Sequence, residues 1–137
     1  MTPGLVYVTR KFAFSAGHRY WRPEWSAEEN ARVFGALTVN HGHNYVLEVT
    51  LAGPVDPRTG MVMDLAELKR IVGEAVVSRF DHADLSADPL FAGGIIPTTE
   101  NLVRVVWDLL APKLGSDRLY RLRLAEDPTL SVEYFGR

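Results

Sequence analysis

Cysteine is missing altogether from this chain of 137 residues, which excludes disulfides and every thiolate metal site. An excess of one charge is missing too: fifteen Lys and Arg stand against seventeen Asp and Glu, a net of −2. Nucleic-acid binding draws on a basic excess that is not here, so no nucleic-acid partner is expected. No apolar run approaches the roughly 20 residues that cross a bilayer, so no membrane partner is expected either. The opening MTPGLVYVTRKFAF lacks a basic start followed by an apolar core and does not read as a signal peptide. These absences lead to the expectation of a cytoplasmic protein, with one domain over residues 1–137.

What is present is an ordinary globular mix, 47% apolar and 23% charged. In LVYVTRKFAFSAGH, Phe12, Phe14, Ala16 and His18 share one parity, as on a half-buried strand. Residues 19–40 show no sustained period and read as a long, functional loop rich in Trp, Arg and Glu. HNYVLEVTLAG reads as a second strand, PVDPRTG as a turn, and MVM as a short returning strand.

DLAELKRIVGEAVVSRF is an amphipathic helix with Asp64 as cap, Glu67 in capping-box position, and a stripe of Leu65, Leu68, Ile71, Val72, Ala75 and Val76. A second helix runs through TTENLVRVVWDLLAPKL, capped by Thr98 or Thr99, with Leu102, Val105, Val106, Leu109 and Leu110 buried. RLYRLRLAEDPTLSVEYFG makes two alternating strands joined at Asp-Pro. The order predicts an α+β fold, a four-stranded antiparallel sheet with two helices on one face. Its two free edges invite oligomerisation.

Two of the four histidines form the pair H-G-H. On a strand His41 and His43 point the same way, their Cβ atoms about 6–7 Å apart at a rise of about 3.3 Å per residue. Such rings can share one cation at about 2.0–2.1 Å from each nitrogen. His18, ending another strand, is a candidate third ligand; three imidazoles without a thiol describe a zinc site with an open position. A paired histidine on a wet sheet face would look the same in sequence. Asp81 and His82 form an Asp-His pair if their side chains meet, and otherwise a polar helix exit. Glu126 shares its parity with Tyr120, Leu122 and Leu124, so it needs a partner unless the strand frays there. Pro97-Thr98-Thr99-Glu100 offers either an anion-binding helix start or simply a cap.

FSAGHR, EENARVFG, HGHNYVLEV, GPVDPRTGMVMDLAELK, FDHADL, PTTENL and LAED occur in that order through the chain. Together they make it resemble the 6-pyruvoyltetrahydropterin synthase family, the tunnelling-fold pterin enzymes. That resemblance implies zinc bound by His18, His41 and His43, and a catalytic Asp81-His82 pair facing the metal across a subunit boundary. It implies a pterin anchored by Glu126 in a pocket lined by Thr98, Thr99 and Glu100. It implies homohexamers of two stacked trimers, each trimer closing its sheets into a barrel. The implied reaction is that of a lyase in tetrahydrobiopterin biosynthesis, turning 7,8-dihydroneopterin triphosphate into 6-pyruvoyltetrahydropterin with loss of triphosphate.

One position departs from the family pattern. The family's base is a cysteine, placed in many members four residues before the first histidine, and position 37 is leucine. Losing one acid–base group typically costs about 10²–10⁴-fold in rate. Three readings follow: a synthase in which His82, Glu28 or Glu29 serves, a retro-aldol cleavage to 6-hydroxymethyl-dihydropterin, or a zinc- and pterin-binding protein without turnover. The related 6-carboxytetrahydropterin synthases use the cysteine as well, and EEN…FG and TTEN favour the pyruvoyl branch.

Overall fold

The computed structural model describes residues 3–137. Strand β1 (Val6–His18) pairs antiparallel with β2 (His41–Gly53), which pairs with β4 (Leu119–Asp127), which pairs with β5 (Leu130–Tyr134). The alternation expected in β1 is present: Phe14, Ala16 and His18 are buried on one face. From β2 the same face receives Tyr45, Leu47 and Val49. Cross-strand register sets Phe14 opposite Tyr45, Ala16 opposite His43 and His18 opposite His41. The histidines therefore stand together where the apolar face runs out.

The sheet has a fifth member that the sequence did not announce. β3 (Ala83–Asp84) is two residues long and lies parallel beside β1 at Ala16 and Gly17, so the order is β3-β1-β2-β4-β5 and the sheet is mixed. A two-residue strand carries no alternation to read.

The supposed loop holds α1 (Ala27–Phe34), capped by Ser26 on the Glu29 amide, and a 3-10 turn over Gly35–Thr38. Asn30 fixes what precedes it. Its buried amide accepts from Arg22 N at 2.7 Å and donates to the carbonyls of Arg22 and Ser26 at 3.0 Å each. α1 packs little of itself into the core, hence its weak apolar signal.

MVM, expected as a strand, pairs with no neighbour; Val62 and Met63 pack against the core as irregular chain. α2 (Leu65–Val72) begins at the Asp64 cap, which accepts from Ala66 N. The expected capping box does not form: Asp64 caps the Ala66 amide rather than that of Glu67, and Glu67 binds Arg70 instead of reaching back. Leu65, placed on the stripe, is exposed in the first turn, while Leu68, Ile71, Val72 and Val76 are buried. A π-turn over Gly73–Val77 leads into α3 (Ser78–Phe80), so one helical run delivers Phe80 to the core and Asp81 to the sheet edge. Such inserted turns often lie beside functional residues.

α4 (Thr99–Leu114) covers β4 and β5 and touches α2, with Leu102, Val106, Trp107 and Leu110 buried. Its cap is Thr98, accepting from Asn101 N at 3.1 Å. A register shift against Thr50–Leu51 leaves Tyr120 exposed and turns Leu119 inward, so the parity assigned to Tyr120 fails at that bulge. Among the described residues no helix is long and apolar enough to cross a membrane.

Candidate metal centre and its surroundings

The three rings converge at one end of β1 and β2. Ring centroids are 4.5 Å apart for His18 and His41, 5.1 Å for His18 and His43, and 5.2 Å for His41 and His43. One ring nitrogen from each lies within 4.8 Å of those of the others. His18 is fully buried, while His41 and His43, the pair that could have lain on a wet sheet face, are half-buried and turned toward it.

The backbone fixes two of the tautomers. His18 Nδ1 is 2.7 Å from the Pro97 carbonyl and His41 Nδ1 is 2.8 Å from the Val39 carbonyl. A carbonyl only accepts, so each Nδ1 carries the hydrogen and each Nε2 is left with a bare lone pair. Tyr45 Oη, 3.3 Å from His18 Nδ1, is the more distant neighbour of that nitrogen. Both His18 Nε2 and His43 Nε2 are buried without a hydrogen-bond partner. Burial holds the His18 imidazole below its usual pKa, and the nearby His41 and His43 rings act in the same direction, against the Pro97 carbonyl. Three convergent rings, two of them with buried and unpartnered Nε2 atoms, fit a divalent cation of the zinc type.

Glu126 stands beside them. Its Oε1 accepts from Thr99 Oγ in a short hydrogen bond of 2.5 Å. Its Oε2 lies 3.3 Å from His43 Nε2, close for an ion pair yet misaligned for a hydrogen bond, which is why that nitrogen remains unpartnered. With its side chain 13% exposed, Glu126 is no frayed strand end. His43, Glu126 and Asp127 also approach one another closely enough to hold an ion. Asp127 Oδ1, however, is taken by Thr129 N, Thr129 Oγ and Leu130 N in the β4–β5 turn. The all-histidine set differs in that two of its nitrogens, His18 Nε2 and His43 Nε2, are buried without a partner.

Two tyrosines that sequence reasoning passed over complete the wall. Tyr20 packs edge-on against His18 with centroids 5.2 Å apart, and its backbone N–H donates to the Leu37 carbonyl at 2.8 Å. Burial, then the Glu126 and Glu100 carboxylates, push its hydroxyl up to about 12. Tyr45 is fully buried below the histidines, and burial followed by Glu126 raises its hydroxyl as well. Parity could have found both, since Tyr20 continues the spacing of His18 and Tyr45 that of His41 and His43.

Of the other expected residues, Thr99 lies inside the group, Thr98 spends its hydroxyl on the helix cap, and Glu100 is exposed in the first turn of α4. Asp81 and His82 do meet: Asp81 Oδ2 is 3.0 Å from His82 Nδ1, and Asp81 Oδ1 accepts from Ser15 N at 2.9 Å. The Ser15 amide, then His82, hold the Asp81 carboxyl below its usual range. Backbone φ at His82 is +61°, with its N–H bound to the Ser15 carbonyl. The pair lies outside the three-histidine cluster and presents a side chain 83% exposed at His82. His82 and His43 nevertheless line one open groove of about 400 Å³, with Gly17, Gly42 and Asn44 between them. Leu37 is 42% exposed on its 3-10 turn. Glu28 is exposed in the first turn of α1, and Glu29 is occupied by Arg32 at 2.6 and 3.0 Å.

An α+β sheet that gathers three bare imidazole nitrogens beside a partly buried carboxylate defines a class of cation-and-ligand-binding protein. Comparison with known proteins narrows it. Residues 7–137 match the family model described as 6-pyruvoyl tetrahydropterin synthase. The chain is 42% identical over 131 residues to the 6-pyruvoyl tetrahydrobiopterin synthase of Dictyostelium discoideum, covering 96% of each chain. It is 40% identical to the human 6-pyruvoyl tetrahydrobiopterin synthase over 94% of this chain and 90% of that one. The solved structure of Caenorhabditis elegans 6-pyruvoyl tetrahydropterin synthase superposes with a TM-score of 0.90 at 34% identity, covering 100% of both chains. The chain belongs to the 6-pyruvoyl tetrahydropterin synthase family, and its fold is that family's tunnelling fold.

Proposed function

We propose that the protein is a zinc-dependent lyase that converts 7,8-dihydroneopterin triphosphate to 6-pyruvoyltetrahydropterin and releases inorganic triphosphate. The observation that carries this is the convergence of three imidazoles, two with Nε2 left bare by carbonyl-held Nδ1–H groups, immediately beside Glu126. His18, His41 and His43 would hold the ion. Bound there, zinc would supply Lewis acidity toward the hydroxyls of the pterin side chain and make neighbouring C–H protons removable.

The chain's own groups supply the rest. Glu126 accepts the paired N–H donors of the pterin's guanidine-like edge, a charge-assisted contact. Thr99 steadies that carboxylate through Oε1. Thr98 fixes the start of α4 by capping it, and Glu100 lies at the rim. Asp81 holds Nδ1–H of His82, which leaves His82 Nε2 free to take up and return a proton. That nitrogen points into solvent in a single chain, so it serves the histidines of a neighbouring copy in a homohexamer.

The Leu37 side chain carries no exchangeable proton, and Glu29 is tied to Arg32; of His82 and the exposed Glu28, His82 is the one oriented by a carboxylate, so we assign it the thiol's task. Incubating zinc-loaded protein with 7,8-dihydroneopterin triphosphate and identifying the pterins by mass spectrometry tests this. Pyruvoyltetrahydropterin with free triphosphate is the expected result. A hydroxymethyl pterin would show that the leucine accompanies retro-aldol cleavage instead, and tight binding without product would leave a binding protein.

A further inference from the structure

Arg19 follows His18 in the chain, yet its side chain lines a separate cavity of about 330 Å³ between the end of β1 and residues 85–97. Its guanidinium carbon stands 4.3 Å from the centre of the Trp21 ring, a cation–π stack that covers one face of the planar fork. Arg19 Nε is buried with no acceptor, and among the described residues no carboxylate lies within ion-pair distance of this guanidinium. Arg19 is half-buried: its Nε is shut off from water, while the terminal nitrogens keep access to solvent and have no counter-charge.

Phe91 and Pro97, both buried, wall the cavity with apolar surface, where a charge pair is stronger than in open water. Ser86 Oγ accepts from Arg19 N at 3.0 Å. The hydroxyl's own proton has only a 3.5 Å contact with the Arg19 carbonyl and is available to another acceptor. Gly93 and Gly94 both have positive φ, +77° and +85°. Neither their amides nor that of Ile95 donates to any acceptor among the described residues. A stacked arginine fork, a hydroxyl and successive unpaired amides make a donor set for a tetrahedral oxyanion; the carboxylate beyond the Gly94 turn, Glu24, is already paired with Arg22, which also donates to the Gly94 carbonyl.

We propose that this cavity binds a phosphate-bearing anion through the Arg19 guanidinium, the Ser86 hydroxyl and the amides of the Gly93–Gly94 turn. It shares a wall with the histidine cluster, because the Pro97 that lines it also holds His18 Nδ1 by its carbonyl. The anion is either the phosphorylated tail of a ligand seated over the histidines or a free phosphoanion. The chemistry that recognises both is the same.

Isothermal titration of the full, zinc-loaded chain with inorganic tripolyphosphate tests the site. Saturable binding is expected, weakened about tenfold or more in Arg19→Gln at equal zinc content, since a hydrogen bond to a charged group contributes about 1.5–3 kcal/mol. Equal affinity in Arg19→Gln, or no binding by the unmodified chain at millimolar anion, overturns the proposal. If Arg19→Gln does not fold, Ser86→Ala decides: a weakening of about threefold or more supports the site, and unchanged affinity counts against it. Displacement of tripolyphosphate by 7,8-dihydroneopterin triphosphate but not by unphosphorylated 7,8-dihydroneopterin assigns the site to the ligand's tail. Displacement by neither assigns it to a free phosphoanion, and displacement by both places the anion over the histidines and refutes the cavity. Because none of these readings needs turnover, the anion site stands or falls separately from the proposed reaction.

Discussion

The three histidines are not equivalent. His18 is locked from behind by Pro97 and below by Tyr45, His41 is held by Val39, and His43 is the one that leans on a carboxylate. Removing one of three imidazole ligands lowers metal affinity steeply, so His41→Ala is expected to lose its zinc on dialysis, read by metal analysis. Glu126→Ala keeps all three ligands and is expected to retain zinc while pterin affinity falls about 10–100-fold, as for loss of charge-assisted hydrogen bonds. Unchanged pterin affinity in that variant would remove Glu126 from its assigned place. At this scale His41 and His43 were legible because strand parity puts them on one face; Tyr45 shares that parity and was passed over. The carbonyls of Pro97 and Val39 were not legible, since a backbone acceptor leaves no trace in residue type.

Elements became hard to read wherever they bury little. α1 has a single buried residue, the polar Asn30, so neither apolar spacing nor composition marks it as a helix; what holds it is a set of hydrogen bonds to the chain before it. β3 is too short for a period, and MVM is packed against the core by Val62 and Met63 without joining either free edge. By contrast α2 and α4, each with a continuous apolar stripe, were evident from spacing. The exit from α3 is braced by an ion pair: Arg79 meets Asp88 through two bonds of 3.0 and 2.7 Å, and Asp88 also caps a 3-10 turn at Leu90 N. Arg79, then the Leu90 amide, hold the Asp88 carboxyl below its usual range. A depressed carboxyl contributes stability that is complete above its unfolded value, about 3.9. That contribution disappears as pH falls through the lower folded value. Asp88→Asn keeps a cap acceptor and loses the charge, so it is expected to be less stable by about 1 kcal/mol at neutral pH. In denaturant titrations at descending pH its deficit should shrink below about pH 4; a deficit constant with pH would rule out the ion pair as its cause.

The whole sheet has two unlike faces. One is packed under α2 and α4. The other carries Lys11, Glu48, Arg123 and Glu133 across adjacent strands, with Glu48 bonded to Arg121 at 3.1 Å and to Arg123 at 3.0 Å. β3 covers β1 only at Ala16 and Gly17, so most of β1 and all of β5 present unpaired outer edges. Sequence order and patterning disclosed the layers and the free edges, and the family resemblance suggested a pair acting across a subunit boundary; the structure adds that His82 is exposed and lies outside the histidine cluster. If that residue serves a neighbouring copy, two inactive variants should rescue each other. Co-refolded His41→Ala and His82→Ala are expected to recover about a quarter of native turnover, the fraction of shared sites that receive one intact half from each. No recovery, with mixed oligomers verified by native mass spectrometry, would place both halves of the site in one chain.

His82 sits at φ +61°, backbone that a residue with a Cβ adopts at a cost of about 1 kcal/mol and that glycine adopts freely. If His82 is the proposed base, heat resistance and catalysis pull this position in opposite directions. A library selected for survival at high temperature alone would enrich glycine there and drift toward robust, inert variants. Directed evolution of this scaffold needs activity in every round of selection.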